Sequence, residues 1–338
     1  MAFGLVFVAA FLVSLLLTPL SGRIATQLGV VARPGGRRKH QGLIPKLGGI
    51  PLFGAFVVGG GLAYWLLPPP AGTNDAQLLQ GVLFGSLVMF IGGLADDYWD
   101  LSPRFNFTVQ FAAVAVAMFY EVFIERFTNP ISGRETAMPL FLVFGLTLLW
   151  VVGLVNTVNF LDGLDGLAAG VGAIAALMFA WHGYRLGQTT IAAFPVALAG
   201  ALLAFLGFNF WPARIFLGSA GAYFLGYALA TLSILSPAKI ATALLVMAVP
   251  IMDIAWQIAD RLRRGQSPFQ GDRGHLHFRL ADSGLPTRQI VLGYYAVAVM
   301  FGLVAIFAPS GRVKLLILTL LSLAILAFMA YLTSKRGK

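Results

Sequence analysis

The chain has 338 residues, of which 59% are hydrophobic and only 11% are charged. A soluble protein carries about a quarter of its residues as charged side chains, so this composition excludes an ordinary soluble enzyme. The absence of cysteine excludes disulfides and thiolate metal sites. The net charge of +10 is explained by loops that face anionic lipid, and no nucleic-acid partner is expected.

Long apolar stretches alternate with short polar segments along the whole chain. Each membrane span needs about 20 apolar residues, so the pattern predicts a polytopic membrane protein. We expect one integral-membrane domain over residues 1–338, all-α, with about eleven transmembrane helices. The predicted spans are 2–20, 43–67, 78–95, 107–124, 138–156, 163–181, 189–208, 215–235, 239–258, 289–308 and 313–332.

Lys and Arg are distributed unevenly between alternate loops. With the N-terminus outside, the inner segments hold seventeen of the 23 Lys and Arg residues, and positive charge is retained on the cytoplasmic side. The chain is therefore predicted to have an external N-terminus and a cytoplasmic C-terminus. Nine of the 13 acidic residues also fall on the inner side, which predicts a polar site at the cytoplasmic face.

A pair of adjacent acids, Asp96 and Asp97, follows Gly92 and Gly93 at the inner end of the third predicted span. Adjacent carboxylates repel, and their burial at a membrane boundary is costly unless a cation lies nearby. Mg²⁺ prefers oxygen ligands and commonly bridges carboxylates to substrate phosphates. The pair therefore indicates a metal or catalytic site, although a solvated helix end explains it equally well.

Four polar residues recur at every third position between the fifth and sixth predicted spans. On a helix this spacing aligns the amides and carboxylates along one side. Two glycines in the same segment, Gly163 and Gly166, would let a substrate approach the backbone. The alternative interpretation is a polar hairpin turn. The four residues are Asn156, Asn159, Asp162 and Asp165.

Two predicted inner loops, 32–49 and 259–288, are rich in cations. Planar guanidinium groups suit diphosphate recognition, and histidine binds phosphate, shuttles protons or ligates metals. Positive-inside charge and attraction to anionic lipid explain both loops without any function. The first loop contains Arg37, Arg38, Lys39, His40 and Lys46, and the second contains Arg261, Arg263, Arg264, Arg273, His275, His277 and Arg279.

Six segments occur in an order that resembles the polyprenyl-phosphate N-acetylhexosamine-1-phosphate transferases. The resemblance runs from about residue 20 to residue 290. Within the family, the Gly274–Leu280 segment is similar to the N-acetylglucosaminyl-1-phosphate branch, which starts bacterial O-antigen, teichoic acid or other envelope glycans. The segments are Pro45–Gly49, Gly93–Asp97, Asn156–Leu167, Phe208–Gly218, Pro250–Asp253 and Asp272–Leu280.

The resemblance implies a reaction, partners and a location. A UDP-N-acetylhexosamine gives its sugar-1-phosphate to a membrane polyprenyl phosphate such as undecaprenyl phosphate, and the products are a polyprenyl-diphospho-sugar and UMP. The implied cofactor is Mg²⁺, with Mn²⁺ as an alternative. The implied location is the bacterial plasma membrane. A homodimer is expected only because family members are often dimeric.

The resemblance also implies roles for individual residues, transferred position by position. The implied catalytic residues are Asp96, Asp97, Asp162, His275 and His277. The implied substrate-binding residues are Lys46, Asn156, Asp165, Arg214, Arg264, Arg273 and Arg279. The implied metal ligands are Asn159, Asp97 and Ser219.

Three positions depart from the family pattern. Ser219 stands where the family has a metal-ligating aspartate, and a hydroxyl is a weaker Mg²⁺ ligand than a carboxylate. A usual lysine falls near Asn106, and a usual aspartate falls near Ala32. An impaired member that binds lipid or nucleotide sugar without turnover is therefore the alternative to an active transferase. An unrelated transporter would instead place its acids at the bilayer midplane.

Overall fold

The computed structural model describes residues 1–33, 42–129, 134–235, 237–266, 274–308 and 310–334. Within these ranges the chain is mainly helical. The helices are α1 Ala2–Gln27, α2 Gly49–Leu66, α3 Asp75–Trp99, α4 Pro103–Phe119, α5 Leu140–Leu161, α6 Leu167–Arg185, α7 Thr189–Asn209, α8 Gly218–Ile234, α9 Pro237–Val246, α10 Ala248–Arg263, α11 Leu276–Asp282, α12 Thr287–Phe307 and α13 Gly311–Ser334.

The helices confirm a polytopic membrane architecture. In the described part of the chain, eight helices are long and apolar enough to cross a membrane, or nine if the bent pair α9–α10 counts as one span. The predicted spans over α4 and α8 correspond to helices of 17 residues each. At 1.5 Å per residue such a helix rises about 25 Å, less than the ~30 Å hydrocarbon core. The total of eleven spans therefore stays a prediction.

The predicted span 239–258 is wrong as one continuous helix. The helical axis bends by 74° between Val246 and Ala248. Pro250 lies in the first turn of α10, where its missing N–H is tolerated, whereas it would remove a hydrogen bond from a continuous helix. The bend turns one face of α10 inward, and this face buries the polar residues Asp253, Gln257 and Arg261.

Helix α8 lies at the centre of the bundle against α3 and α5. Glycines make the close approach possible: a Cβ on Gly93 would lie 2.4 Å from the Ala220 Cα, and one on Gly226 would lie 2.5 Å from the Val155 Cα. Small residues at helix contacts are the usual means of packing within a membrane, where the hydrophobic effect does not drive helices together. The first turn of α8 is consequently pressed against the end of α3.

Two antiparallel ribbons correct the all-α prediction locally. Strand β1, Val31–Ala32, pairs with β2, Ile44–Pro45, and strand β3, Arg126–Thr128, pairs with β4, Glu135–Ala137. The first ribbon is continued by backbone bonds to the segment that precedes α8. Phe216 N donates to Pro45 O at 2.8 Å, and Gly48 N donates to Phe216 O at 3.0 Å. These bonds fix the position of Lys46.

Candidate active site

Several segments that carry predicted site residues bond to residues 213–220 at one end of the helical bundle. The β2 segment bonds to residue 216, the turn 162–166 bonds to residue 213, and α11 packs on residue 163. A different set of loops meets at the opposite end, where Thr190 Oγ1 donates to Pro68 O at 3.2 Å and Asn74 Nδ2 donates to Glu121 Oε2 at 3.3 Å. The fold therefore brings distant parts of the sequence together.

Asp97 lies in the last turn of α3 and is only 3% exposed. Its Oδ1 accepts the backbone N–H of Ser219 at 2.9 Å, and its Oδ2 accepts that of Ala220 at 3.0 Å. The carboxylate thus caps the N-terminus of α8, where the helix dipole favours a negative charge. Gly218 has φ +73°, and a Cβ there would lie 2.6 Å from Asp97 Oδ2, so the cap closes only around glycine.

Asp96 differs from its neighbour because it is partly exposed. Its Oδ1 accepts the Leu101 backbone N–H at 3.1 Å and the Asn106 Nδ2 at 3.2 Å. Its Oδ2 accepts the Tyr223 hydroxyl at 3.5 Å. Asn106, which stands near the usual family lysine, therefore contacts the acid pair as a neutral amide. Of the two carboxylates, Asp96 has more capacity to contact a substrate or cation.

Lys46 supplies positive charge beside the acid pair. Its Nζ lies 3.4 Å from Asp100 Oδ1, and the Lys46 side chain is 18% exposed whereas that of Asp100 is 91% exposed. The ammonium is also close enough to Asp97 to attract it electrostatically. Such a half-exposed pair contributes about 1 kcal/mol or less to stability, so its main effect is on the local charge.

The alignment along one helix predicted for the four polar residues at every third position is partly wrong. Helix α5 ends at Leu161, so Asn156 and Asn159 lie on it whereas Asp162 and Asp165 belong to the following turn. The Asn156 Nδ2 donates to Gln110 Oε1 and to Val152 O, both at 2.8 Å, which ties this amide to α4. Asn159 is half-buried and makes no side-chain hydrogen bond within the described part of the chain.

The turn 162–166 is held from two sides. Asp165 Oδ2 accepts the Ala213 backbone N–H at 2.9 Å. Gly166 has φ +81°, a conformation that favours glycine, and its N–H donates to Asn209 Oδ1 at 3.1 Å. The Gly166 carbonyl accepts the Tyr295 hydroxyl of α12 at 2.5 Å. The polar hairpin interpretation therefore describes the backbone correctly, and the turn is rigidly positioned beside the segment before α8.

His275 is buried at the start of α11 and bonds to an acid on α10. Its Nδ1 lies 3.0 Å from Asp253 Oδ2, while Asp253 Oδ1 accepts the Leu276 backbone N–H at 2.9 Å. The ring stacks on Phe160 at 5.0 Å, next to Asn159 in the sequence. The Nε2 atom is buried and has no hydrogen-bond partner among the described residues. A buried polar atom in that position is available to a ligand.

His277 and Arg279 fix α11 against the turn and α10. The His277 ring is parallel to that of His275 at 5.8 Å, and a Cβ on Gly163 would lie 2.4 Å from His277 Nε2. The Arg279 Nε donates to Gly274 O at 2.5 Å, and the same carbonyl accepts Gln257 Nε2. The buried Arg279 therefore positions the start of α11, which the sequence could not distinguish from a phosphate contact.

The other cations predicted to bind substrate lie in different places. Arg214 lines a groove of about 530 Å³ beside α1, where its guanidinium is 4.9 Å from the Phe208 ring centroid and donates to Gly207 O at 2.9 Å. Arg264, the residue that follows α10, pairs with Asp260 on that helix at 3.0 Å. Arg273 lies outside the described residues, as do Arg37–His40. In the described part of the chain, the contacts of Arg214 and Arg264 are therefore with groups other than the acid pair.

The donor chemistry fits a magnesium ion, but the protein offers few ligands. Among the described residues, no group of three or more His, Asp or Glu side chains is arranged to hold a metal ion. The oxygen-bearing side chains of the predicted site include Asp96, Asn159 and Asp162, with the half-buried Ser219 next to Asp97. Mg²⁺ usually keeps several waters and binds through one or two carboxylates plus substrate phosphates, so this sparse set is compatible with it.

Two positions that hold the candidate site in place were missed by inspection of the sequence. Asp253 was noted only as part of a segment, although it holds His275, and Asn209 was not singled out, although it connects the 162–166 turn to Ile215 O at 2.9 Å. The signal for Asp253 is the spacing of buried polar residues on α10. Asn209 carries no such signal, because a single amide between apolar residues is common at a helix end.

Comparison with known proteins identifies the family of this chain. The sequence model of the family described as "Glycosyl transferase family 4" matches residues 79–237. This range includes the acid pair, the 162–166 turn and the start of α8. A Bacillus subtilis protein described as a probable undecaprenyl-phosphate N-acetylglucosaminyl 1-phosphate transferase is 30% identical over 91% of this chain and 86% of its own.

Two further relatives span most of both chains. A decaprenyl-phosphate N-acetylglucosaminephosphotransferase from Mycobacterium tuberculosis is 34% identical over 85% of this chain and 77% of its own. An undecaprenyl-phosphate alpha-N-acetylglucosaminyl 1-phosphate transferase from Escherichia coli K12 is 29% identical over 90% of this chain and 83% of its own. The chain belongs to glycosyl transferase family 4, among the polyprenyl-phosphate N-acetylhexosamine-1-phosphate transferases.

Proposed function

We propose that this protein transfers N-acetylglucosamine-1-phosphate from UDP-N-acetylglucosamine to a polyprenyl phosphate such as undecaprenyl phosphate. The products are polyprenyl-diphospho-N-acetylglucosamine and UMP, which would start a cell-envelope glycan. The observation that carries the proposal is the meeting of the acid pair, the 162–166 turn and α11 at one end of a membrane bundle, together with relatives of this named activity.

The chemistry requires two phosphate-bearing substrates to approach each other. An oxygen of the lipid phosphate forms a bond to the phosphorus attached to the sugar, and the bond from that phosphorus to the UMP oxygen breaks. Catalysis of such a transfer depends mainly on positioning and charge neutralisation. Lys46 supplies fixed positive charge, Asp165 and Asn209 hold the turn, and His275 has a buried Nε2 without a hydrogen-bond partner among the described residues.

Magnesium is the proposed cofactor, with manganese as an alternative. When bound, it would neutralise phosphate charge, and Asp96, Asn159 and Asp162 are the residues that would hold it. We assign Asp97 a structural role within the acid pair, because both of its oxygens already accept N–H groups from the first turn of α8. The division of roles within the pair is therefore Asp96 towards the substrates and Asp97 towards the protein.

A test of the reaction is identification of its lipid product. Purified protein is incubated with undecaprenyl phosphate, Mg²⁺ and either UDP-N-acetylglucosamine or UDP-N-acetylgalactosamine, and the lipid fraction is analysed by mass spectrometry. The proposal expects a lipid diphospho-N-acetylhexosamine from the glucosamine donor in preference to the other. A reversed preference would overturn the assigned sugar, and the absence of any lipid-linked product would overturn the transferase.

The alternative of a binding protein without turnover rests on Ser219. Ser219→Asp is expected to add a hard anionic ligand near the acid pair and to lower the Mg²⁺ concentration needed for half-maximal rate about tenfold, equivalent to about 1.4 kcal/mol. The measurement is a Mg²⁺ titration of UMP release, with the exposed Ser310→Asp at the start of α13 as matched control.

Each outcome of this titration separates the two interpretations. An active wild-type protein turns over at high Mg²⁺, and the variant does so at lower Mg²⁺. An impaired protein shows no wild-type turnover at any concentration, whether or not the variant restores it. An unchanged Mg²⁺ requirement in an active variant would show that Ser219 does not face the metal.

We further propose that the site faces the cytoplasm and that the N-terminus is outside, from the charge asymmetry of the loops. Single cysteines are clean probes because the chain has none. In intact cells, Ala71→Cys between α2 and α3 should react with an impermeant thiol reagent, whereas Gln266→Cys after α10 should react only after permeabilisation. Labelling of the second position from outside would reverse the orientation.

A further inference from the structure

Asp253 and His275 form a buried pair whose geometry determines the chemistry of the histidine. Both side chains are nearly inaccessible, at 3% exposure for each residue. An ionised carboxylate only accepts hydrogen bonds, and Asp253 uses one oxygen for the Leu276 N–H and the other for His275 Nδ1. The ring must therefore carry its proton on Nδ1, which leaves a lone pair on Nε2 when the ring is neutral.

The surroundings of the His275 ring indicate that Asp253 does more than stabilise the fold. Phe160 stacks on the ring at 5.0 Å. The ring of His277 lies parallel at 5.8 Å and packs on Gly163, in the turn that also contains Asp162 and Asp165. Nε2 is buried without a hydrogen-bond partner among the described residues, although buried polar atoms are nearly always bonded. A tautomer fixed from one side and an open acceptor on the other are the features of a preorganised ligand contact.

We propose that Asp253 is a positioning residue: it holds His275 in the Nδ1–H tautomer so that Nε2 accepts a hydrogen bond from an O–H or N–H of the bound substrate. This role rests on the proposed transferase function for its kinetic consequence. The tautomer itself does not depend on that function, because it follows from the two bonds of Asp253 in the protein without substrate.

The variant Asp253→Asn makes the proposal testable because its amide has only one acceptor. The Asn oxygen is expected to keep the Leu276 N–H, since an amide NH₂ there would face another donor. The NH₂ then faces His275 Nδ1, which must become an acceptor, and the ring proton moves to Nε2. Nε2 changes from an acceptor into a donor while the ring stays in place.

The direct measurement is the ¹⁵N NMR spectrum of histidine-labelled protein at alkaline pH, where the ring is neutral. The chain has 4 histidines, so His275→Gln assigns the signal by its loss. Wild type and the control Asp282→Asn, an exposed acid at the end of α11, should show the Nδ1–H tautomer. Asp253→Asn should show the Nε2–H tautomer, and an unchanged tautomer would overturn the proposal.

Kinetics supply the functional half of the test. Asp253→Asn is expected to lower kcat about 10²-fold and to change KM by less than about threefold. In the His275→Gln background the same change should have no further effect on kcat. A folding defect caused by Asp253→Asn would instead lower kcat in both backgrounds, so this comparison distinguishes the two causes. A switched tautomer with an unchanged kcat would overturn the positioning role. Absence of transfer in wild type would overturn the transferase function and leave the tautomer result standing.

Discussion

Replacing Asp97 by asparagine is expected to remove transferase activity and also to lower the stability of the protein. The two oxygens of Asp97 accept the N–H groups of Ser219 and Ala220 at the start of α8. Asparagine has one acceptor, so its NH₂ would face a backbone donor within a buried contact. The loss is expected to be about 3 kcal/mol, because a charge-assisted bond is lost and a buried donor is left unpaired.

The measurement is thermal unfolding in detergent beside the rate of UMP release. Asp96→Asn is the informative comparison: it should abolish transfer while leaving the unfolding midpoint close to that of wild type, because Asp96 is partly exposed. Asp75→Asn, at the opposite end of α3, is the matched control and should change neither property. A stable Asp97→Asn protein with full activity would contradict both roles assigned to this carboxylate.

Replacing Gly163 by alanine is expected to lower kcat about 10²-fold without unfolding the protein, because a displacement of about 1 Å at a reacting site has that effect. The added Cβ would lie 2.4 Å from His277 Nε2 and 2.7 Å from Phe278 Cζ. These atoms belong to α11, so the turn and α11 must separate. The separation would displace Asp162 and Asp165 from the histidines.

Gly153→Ala is the control, since a Cβ there meets no atom within 4 Å and Gly153 lies on α5, the helix that leads into the turn. Its kcat is expected to stay within about twofold of wild type. Rates for both variants are measured at saturating UDP-N-acetylglucosamine and undecaprenyl phosphate. Unimpaired turnover by Gly163→Ala would show that contact between the turn and α11 is not required for the reaction.

The sequence predicted the membrane class and the approximate positions of the helices because hydropathy reports directly on them. It could not predict the break at Met247. A proline three residues into a helix is compatible with a start at Ala248, and only packing decides between a start and a kink. The ribbons β1–β2 and β3–β4 were missed because strands of two or three residues carry no periodic signal.

The sequence indicated which residues belong to the candidate site better than it indicated the role of each residue. Asp96 and Asp97 look alike in sequence, yet one is partly exposed and the other caps α8, a difference created by Gly93 and Gly218. Asn156 follows the same spacing as Asn159, but Gln110 on α4 binds its amide. Such partners come from elements distant in the chain, so spacing along one helix cannot reveal them.

The most direct test of the central claim is the rate of UMP release from UDP-N-acetylglucosamine by purified protein with Mg²⁺, with and without undecaprenyl phosphate. A transferase whose substrates meet at the acid pair releases UMP only when the lipid phosphate is present, and Asp96→Asn prevents the release. UMP release that is independent of the lipid, or unaffected by Asp96→Asn, would contradict the claim that this end of the bundle joins the two substrates.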